Sequence, residues 1–158
     1  MKFHIQKSVL QDVLQTLISV VPSRATIPVL HNFSFRLEGN VLEVGATYLD
    51  QGILQTVQVD GERDGGIIVN ARRLLDLVTS LVEPSITTVS FDVQDYVVNV
   101  RWSERGYSTL TGFDVSEFPA FPEVSEDSVL HMNASELAFL VEKTAFAVST
   151  DISRIAMS

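Results

Sequence analysis

One strand-to-helix pattern occurs three times in this chain at nearly equal spacing. A shift of 64 residues places Gln6 on Asn70, and a further shift of 63 places Asn70 on Asn133. In each copy an apolar residue precedes the aligned position, and leucine or valine recurs after it at the spacing of a helix face. A repeat at fixed spacing constrains the fold more than any single motif, because it sets the architecture of the whole chain.

The first two helices are predicted from their apolar periodicity and from their end signals. Ser8 is predicted to open the first helix, with Gln11 at the capping-box position, and Pro22 to end it. The second helix is predicted over 71–82, ending before Pro84. The residues expected to face inward are Val9, Leu10, Val13, Leu14, Leu17 and Ile18 in the first helix and Leu74, Leu75, Leu77, Val78 and Leu81 in the second.

Short strands with alternating apolar and polar residues fill the space around these helices. Asp60-Gly61 and Asp64-Gly65-Gly66 are typical of turns between them. The predicted strands cover residues 1–6, 29–37, 41–47, 53–59, 67–70, 86–93, 96–102 and 107–111. Alternating strands on short turns favour an antiparallel sheet with one face covered. The predicted fold class is therefore α+β, with repeated strand-helix-three-strand units and the helices on one face of the sheet.

The stretch EFPAFPEVSEDS at 117–128 has two prolines, four acidic residues and no periodicity. We predict an interdomain linker here, with Phe118 and Phe121 docked on a surface. The linker would separate a first domain at 1–116, made of two repeat units, from an incomplete second domain at 129–158.

The second domain is predicted to open with a strand at 129–132 and a third helix. Asn133 is the expected cap, with Glu136 at the box position. The residues expected to be buried on this helix are Leu137, Leu140, Val141 and Ala145. A third unit that begins without its sheet indicates a truncated chain or a fragment, and its apolar helix face would need a partner.

Composition narrows the functional classes. The net charge is −9, which argues against a general nucleic-acid binder unless a few basic groups gather on one face. The chain has no cysteine, so a disulfide framework and a cysteine-based zinc site are excluded. Its start, MKFHIQKS, lacks the apolar region of a secretory signal, and no apolar run approaches the ~20 residues of a membrane span. A cytoplasmic protein is the expectation.

The sequence indicates no catalytic constellation, no metal site and no cofactor site. His4, His31 and His131 are scattered, and the repeated strand positions of His4 and His131 favour a structural role. The arginines are more informative, because guanidinium suits phosphate and Arg24, Arg72 and Arg73 lie at the ends of the two helices. The three arginines could lie together on the layer formed by the two helices, or each could be a separate, solvated surface residue.

Several stretches together resemble the bacterial DNA sliding clamp, the β subunit of the replicative DNA polymerase III. The residues that carry the resemblance are MKFHIQKSVL at the start, RATIPVL at 24–30, GATYLD at 45–50, VNARRLLD at 69–76, EFP at 117–119 and STDISR at 149–154. The resemblance covers the first domain and the opening of the second. It implies a DNA-clamp fold in which two chains join head to tail in a ring, with helices lining the hole.

The resemblance also implies a function and its residues. A clamp encircles double-stranded DNA without reading its sequence, tethers DNA polymerase and does no chemistry, while a clamp-loader complex opens it. Arg24, Arg72 and Arg73 match DNA-contacting or lumen-facing positions. Arg154 and Met157 match the start of the partner-peptide groove. Tyr107, Ser108 and Leu110 match the protomer interface of the homodimer.

Two residues depart from the family pattern, and two other functions stay open. Tyr48 stands where many members have an acid, and Asp151 would be unfavourable beside phosphate.

The chain could instead be an acidic repeat scaffold that binds protein and never DNA; arginines on unrelated faces would favour that. It could also be an enzyme, which would require a cleft that unites one histidine with an acidic residue.

Overall fold

A computed structural model of the protein describes residues 1–23, 27–48, 51–121 and 131–148. The chain divides into two units, Met1–Phe121 and Pro122–Ser158. The elements of the first unit are β1 (Lys2–Gln6), α1 (Lys7–Leu17), β2 (Asn32–Glu38), β3 (Val41–Tyr48), β4 (Gln51–Gln58), β5 (Asp60–Arg63), β6 (Gly65–Asn70), α2 (Ala71–Ser80), β7 (Thr88–Gln94), β8 (Val97–Arg101) and β9 (Tyr107–Phe113). Single 3₁₀ turns cover Ile18–Val20, Pro28–His31 and Val115–Glu117. The second unit contributes α3 (Ala134–Ala145).

The helix starts confirm the predicted repeat. The residues at the N-cap positions of α1, α2 and α3 are Gln6, Asn70 and Asn133, the three positions that the sequence shifts align. In the first two copies, β1 and β6 run into their helices without a loop between them. The third copy shares the position at which the helix begins.

The nine strands form one antiparallel sheet in the order β4-β3-β2-β6-β9-β8-β7-β1-β5. The strand before each helix pairs with the sheet of the other repeat: β1 with β7, where Gln6 lies opposite Thr88, and β6 with β2, where Asn70 lies opposite Asn32. The two repeats therefore interlock. The two ends of the strand order, β4 and β5, are separated in sequence only by Val59.

The core lies between the sheet and the helix pair, which confirms the α+β class with helices on one face. Phe3 and Phe91 stack there with ring centroids 4.8 Å apart, and Phe35 lies next to Phe91. The helices supply Leu10, Val13, Leu14, Leu17, Ala71, Leu74 and Val78 to the same cluster, and Leu81 joins it just after α2. Full burial of one such side chain contributes roughly 1.5–3 kcal/mol.

The predicted capping boxes are wrong. α1 begins at Lys7 and α3 at Ala134, and neither N-cap side chain makes a capping hydrogen bond. At α1 the reason is tertiary. The backbone N–H of Lys7 donates to the carbonyl of Thr87 at 2.9 Å, so a neighbouring segment accepts a hydrogen bond from this helix end. In α2, by contrast, Asn70 Oδ1 accepts from the N–H of Arg73 at 3.0 Å.

Several predicted boundaries also differ. Residues 28–31 form a 3₁₀ turn, because Asn32 Nδ2 donates to the carbonyls of Pro28 and Val29 and holds that segment out of the strand. Asp60 and Gly61 belong to β5, not to a turn, because β1 offers them an antiparallel partner. α2 ends at Ser80, where Leu81 leaves helical geometry at ψ 69.

The prediction that α3 buries its apolar face is wrong for the part of the chain that the structure describes. Leu137, Leu140 and Val141 are 50–55% exposed, and Ala145 is exposed too. His131 and Met132 form no strand, and the rest of the predicted strand lies outside the described residues. A single helix has no second layer against which to bury its stripe.

Candidate nucleic-acid interface

The helices α1 and α2 lie side by side and present one polar surface, here called the helix layer. Their apolar stripes turn toward the sheet, so the opposite faces are left to solvent. The exposed residues of the layer are Ser8, Asp12, Gln15 and Thr16 of α1 and Arg72, Arg73, Asp76, Thr79 and Ser80 of α2. The hydroxyls of Thr16 and Ser80 donate to carbonyls of their own helices, at 2.9 and 2.7 Å.

Arg72 and Arg73 are exposed at the first turn of α2. Asp76 lies one turn further along the same helix, at the spacing of an intrahelical pair. Yet the ion pairs among the described residues involve only Lys2, His4 and Arg63 as cations. Within the described part of the chain, both guanidinium groups are therefore without a carboxylate within 4.0 Å and can meet an external anion.

Lys7 is a basic group of the helix layer that sequence reasoning missed. Its Nζ donates to the carbonyl of Leu81, just beyond the end of α2. A cation at a helix C-terminus is stabilised by the helix dipole and by the free carbonyls. Lys7 therefore joins the two repeats. The one sequence signal that could have indicated this contact is the position of Lys7 as the first residue of α1.

Charge is distributed unevenly over the first unit. Residues 1–121 contain nine basic and fourteen acidic residues. α1 and α2 hold three of the basic ones, Lys7, Arg72 and Arg73, and only two of the acidic ones, Asp12 and Asp76. The remainder has six basic and twelve acidic residues. The helix layer is thus the part of an acidic molecule that repels a polyanion least.

Other predicted site residues have different outcomes. Arg24, Arg154, Met157 and Asp151 lie outside the described residues. Tyr48 ends β3, where it is half-buried and pairs with Gln51 of β4. Of the predicted DNA-contacting residues, the structure therefore describes only Arg72 and Arg73, which are both exposed on α2.

The predicted interface residues Tyr107, Ser108 and Leu110 lie on β9. Residues Tyr107 to Thr111 pair with β8 along one edge, whereas β6 pairs with β9 only at Gly112 and Phe113. Among the described residues, the other edge of Tyr107–Thr111 therefore has no strand partner. Tyr107 is 63% exposed, and the guanidinium of Arg101 lies 5.6 Å from its ring centre. An open edge of this kind is a template for another strand.

His4 joins three neighbouring strands on the outer face of the sheet, the face opposite α1 and α2. Its Nδ1 lies 2.7 Å from Ser90 Oγ and its Nε2 lies 2.6 Å from Glu62 Oε1. Lys2 Nζ donates to the other oxygen of Glu62 at 2.6 Å. The side chains of His4 and Glu62 remain 32% and 41% exposed, so these groups form an open ladder between β5, β1 and β7.

Two carboxyl groups outside the helix layer have shifted pKa values. Hydrogen bonds from Lys2 and then from His4 hold the pKa of Glu62 below its usual range. The backbone N–H of Ser116, followed by the Ser116 side chain and the Tyr96 hydroxyl, lowers the pKa of Asp114. Both shifts come from hydrogen bonds to the charged form, which stabilise the carboxylate.

No cluster of three or more His, Asp or Glu side chains in the part of the chain that the structure describes could hold a metal ion. None of the helices described is long and apolar enough to cross a bilayer.

Interlocked strand-helix repeats, with both helices on one face of a nine-stranded sheet, define the DNA-clamp fold. A solved sliding clamp from Pseudomonas aeruginosa, the DNA polymerase III subunit β bound to griselimycin, matches this chain with a TM-score of 0.87. The two are 29% identical, and the match covers 96% of this chain and 40% of that one.

Residues 1–122 match the family described as the DNA polymerase III β subunit, N-terminal domain. The β sliding clamp of Vibrio harveyi is 32% identical over 148 residues, which cover 93% of this chain and the whole of that sequence. The chain therefore belongs to the β sliding clamp family. The Vibrio cholerae clamp is 31% identical over 94% of this chain, but the chain spans only 40% of its length.

Proposed function

We propose that this chain supplies the first domain of a ring that encircles duplex DNA and holds a DNA polymerase on it. The observation that carries the proposal is the helix layer, where Arg72 and Arg73 face solvent on an otherwise acidic unit. Arg24, which follows α1 in the sequence, would add a third cation. Contacts of this type reach phosphates and not base edges, so they let the protein slide.

The weakness of the helix layer as a DNA-binding surface is consistent with this role. Three arginines neutralise few phosphates, and affinity falls with salt in proportion to that number. A protein that held DNA by such contacts alone would dissociate at physiological salt. A closed ring avoids this, because topology keeps the DNA while the contacts stay weak enough for movement.

The open edge of β9 supports a homodimer. Tyr107, Ser108 and Leu110 lie where a strand from a second protomer could extend the sheet with backbone hydrogen bonds. We propose these residues as the protomer interface, and Arg154 and Met157 as part of a groove for partner peptides. A clamp-loader complex would be needed to open the ring, and the protein would work in the cytoplasm without a cofactor or a catalytic step.

The test uses the intact protein, loaded by its own loader onto nicked circular DNA. After a wash at moderate salt, the circle is cut once. Release of the protein on cutting indicates that it encircled the DNA. Retention after cutting indicates groove binding and contradicts the ring. Failure to load, with the loader active on another clamp, would favour the acidic scaffold that never binds DNA.

A further inference from the structure

Part of the outer face of the sheet is covered by the chain itself. Ser34 alternates with the core residues Phe33 and Phe35, so it points away from the helices, yet it is only 5% exposed. Ile68 of β6 lies opposite Ser34, is fully buried and does not belong to the core cluster. Residues 114–121, here called the strap, follow β9 and contact β2 and β6. Phe118 of the strap is 7% exposed.

The strap fits small residues on the strands beneath it. A Cβ atom on Gly66 would lie 2.7 Å from Cγ1 of Val115. A Cβ on Gly45 would lie 2.7 Å from the ring of Phe121, and one on Gly52 would lie 3.0 Å from it. A Cβ at Gly66 or Gly45 would be closer than side chains pack, and one at Gly52 would be in tight contact, so glycine allows the strap to lie this close to the strands. The small residues occupy four neighbouring strands, in the order Gly66 (β6), Ser34 (β2), Gly45 (β3) and Gly52 (β4).

Both ends of the strap are attached. At its start, Asp114 accepts hydrogen bonds from the N–H of Ser116 at 2.8 Å and from the hydroxyl of Tyr96 at 3.1 Å. At its end, the ring of Phe121 lies against Gly45 and Gly52, and the ring of Phe118 lies 6.0 Å from that of Phe121. The Tyr96 hydrogen bond at one end and the Phe121 ring at the other hold the segment across the sheet.

We propose that the strap fixes the point at which the chain leaves the first unit. Without it, the connector to α3 would begin after β9; with it, the connector begins at residue 122 and is shorter by the eight residues 114–121. A shorter connector limits how far the two units can move relative to each other. In the ring of the proposed function, release of Phe121 would loosen the joint between the first and second domains.

The first test is hydrogen exchange of the intact protein free of DNA. Phe121→Ala should raise exchange of the strap amides by at least about tenfold and leave α1 and α2 unchanged, because only a local contact is lost. Val41→Ala is the matched control: it shortens an outward side chain on the same strand as Gly45, away from the strap, and should change nothing in the strap. Strap exchange that stays at the wild-type rate in Phe121→Ala overturns the proposal.

A second variant keeps every strap residue and changes the surface beneath it. Gly45→Ala should also raise strap exchange, because its new methyl group occupies the place of the Phe121 ring. In the double variant the two effects should not add, since the ring that Gly45→Ala displaces is already absent. Additive effects would show that the ring does not rest on Gly45.

The consequence for the joint is measured as a distance distribution. These 158 residues contain no cysteine. With any cysteine elsewhere in the intact protein replaced, Thr56→Cys and Glu142→Cys place one spin label on each unit. The distribution between the labels should broaden in Phe121→Ala. An unchanged width overturns the proposal even where exchange is faster, because the strap would then only cover the sheet. Neither measurement uses DNA, so failure here is separate from failure of the ring.

Discussion

Replacing Arg72 and Arg73 by alanine should weaken contact with DNA in a way that depends on salt. Both side chains are exposed on α2 and have no carboxylate partner among the described residues, so their loss removes two cations without breaking an internal ion pair. Alanine also has a high helix propensity, so α2 should keep its stability.

The magnitude follows from counterion release. Each phosphate contact contributes a slope of about −0.9 to log K against log salt, so two lost contacts reduce the slope by about 1.8. Between about 50 and 200 mM salt, the affinity advantage of the wild type over the variant should shrink roughly tenfold. If only one of the two arginines reaches phosphate, its single variant should reproduce half of the change in slope.

The assay is the binding of the intact protein to a short fluorescent duplex, measured by anisotropy over that range of salt. The matched control replaces Arg36 and Arg105, which are exposed outside the helix layer. The control removes the same net charge, so any general effect of charge appears in both proteins. A slope that is equal in the variant and the wild type, or an equal change in the control, would refute the role assigned to the helix layer.

Three further predictions concern other parts of the molecule. Tyr107→Lys combined with Ser108→Lys should convert the proposed dimer of the intact protein to monomers in sedimentation, because lysine on an open edge opposes strand pairing, whereas Asn99→Lys on β8 should not. Glu62→Gln should lower stability at pH 7, and the difference should shrink as the pH falls below about 4.3 and through the lowered pKa of Glu62, because a carboxyl with a lowered pKa stabilises the fold only while it is ionised. Denaturant midpoints of both proteins over a series of pH values from 7 downward check this, and a difference that stays constant would contradict it. Leu74→Ala should cost about 2–5 kcal/mol in urea unfolding, since Leu74 is fully buried, and Val82→Ala, 80% exposed, should cost less than about 0.5 kcal/mol.

The sequence determined the features that depend on near neighbours along the chain. The three repeats begin at Gln6, Asn70 and Asn133 as the shifts predict, because a 3.6-residue apolar period is a local property. Most strands were predicted to within a few residues, since alternation is also local. Arg72 and Arg73 were identified as exposed cations for the same reason: they lie off the apolar stripe of α2.

Only the tertiary structure decided the contacts between distant residues. The carbonyl of Thr87 replaces the expected Ser8 cap, and β1 turns the predicted Asp60-Gly61 turn into a strand. Lys7 is held at the end of the other helix, and Phe121 rests on two glycines from strands far away in sequence. The physical reason is that each backbone N–H and each apolar surface can be satisfied by any part of the chain that folding brings near, and a local pattern carries no record of which part that is.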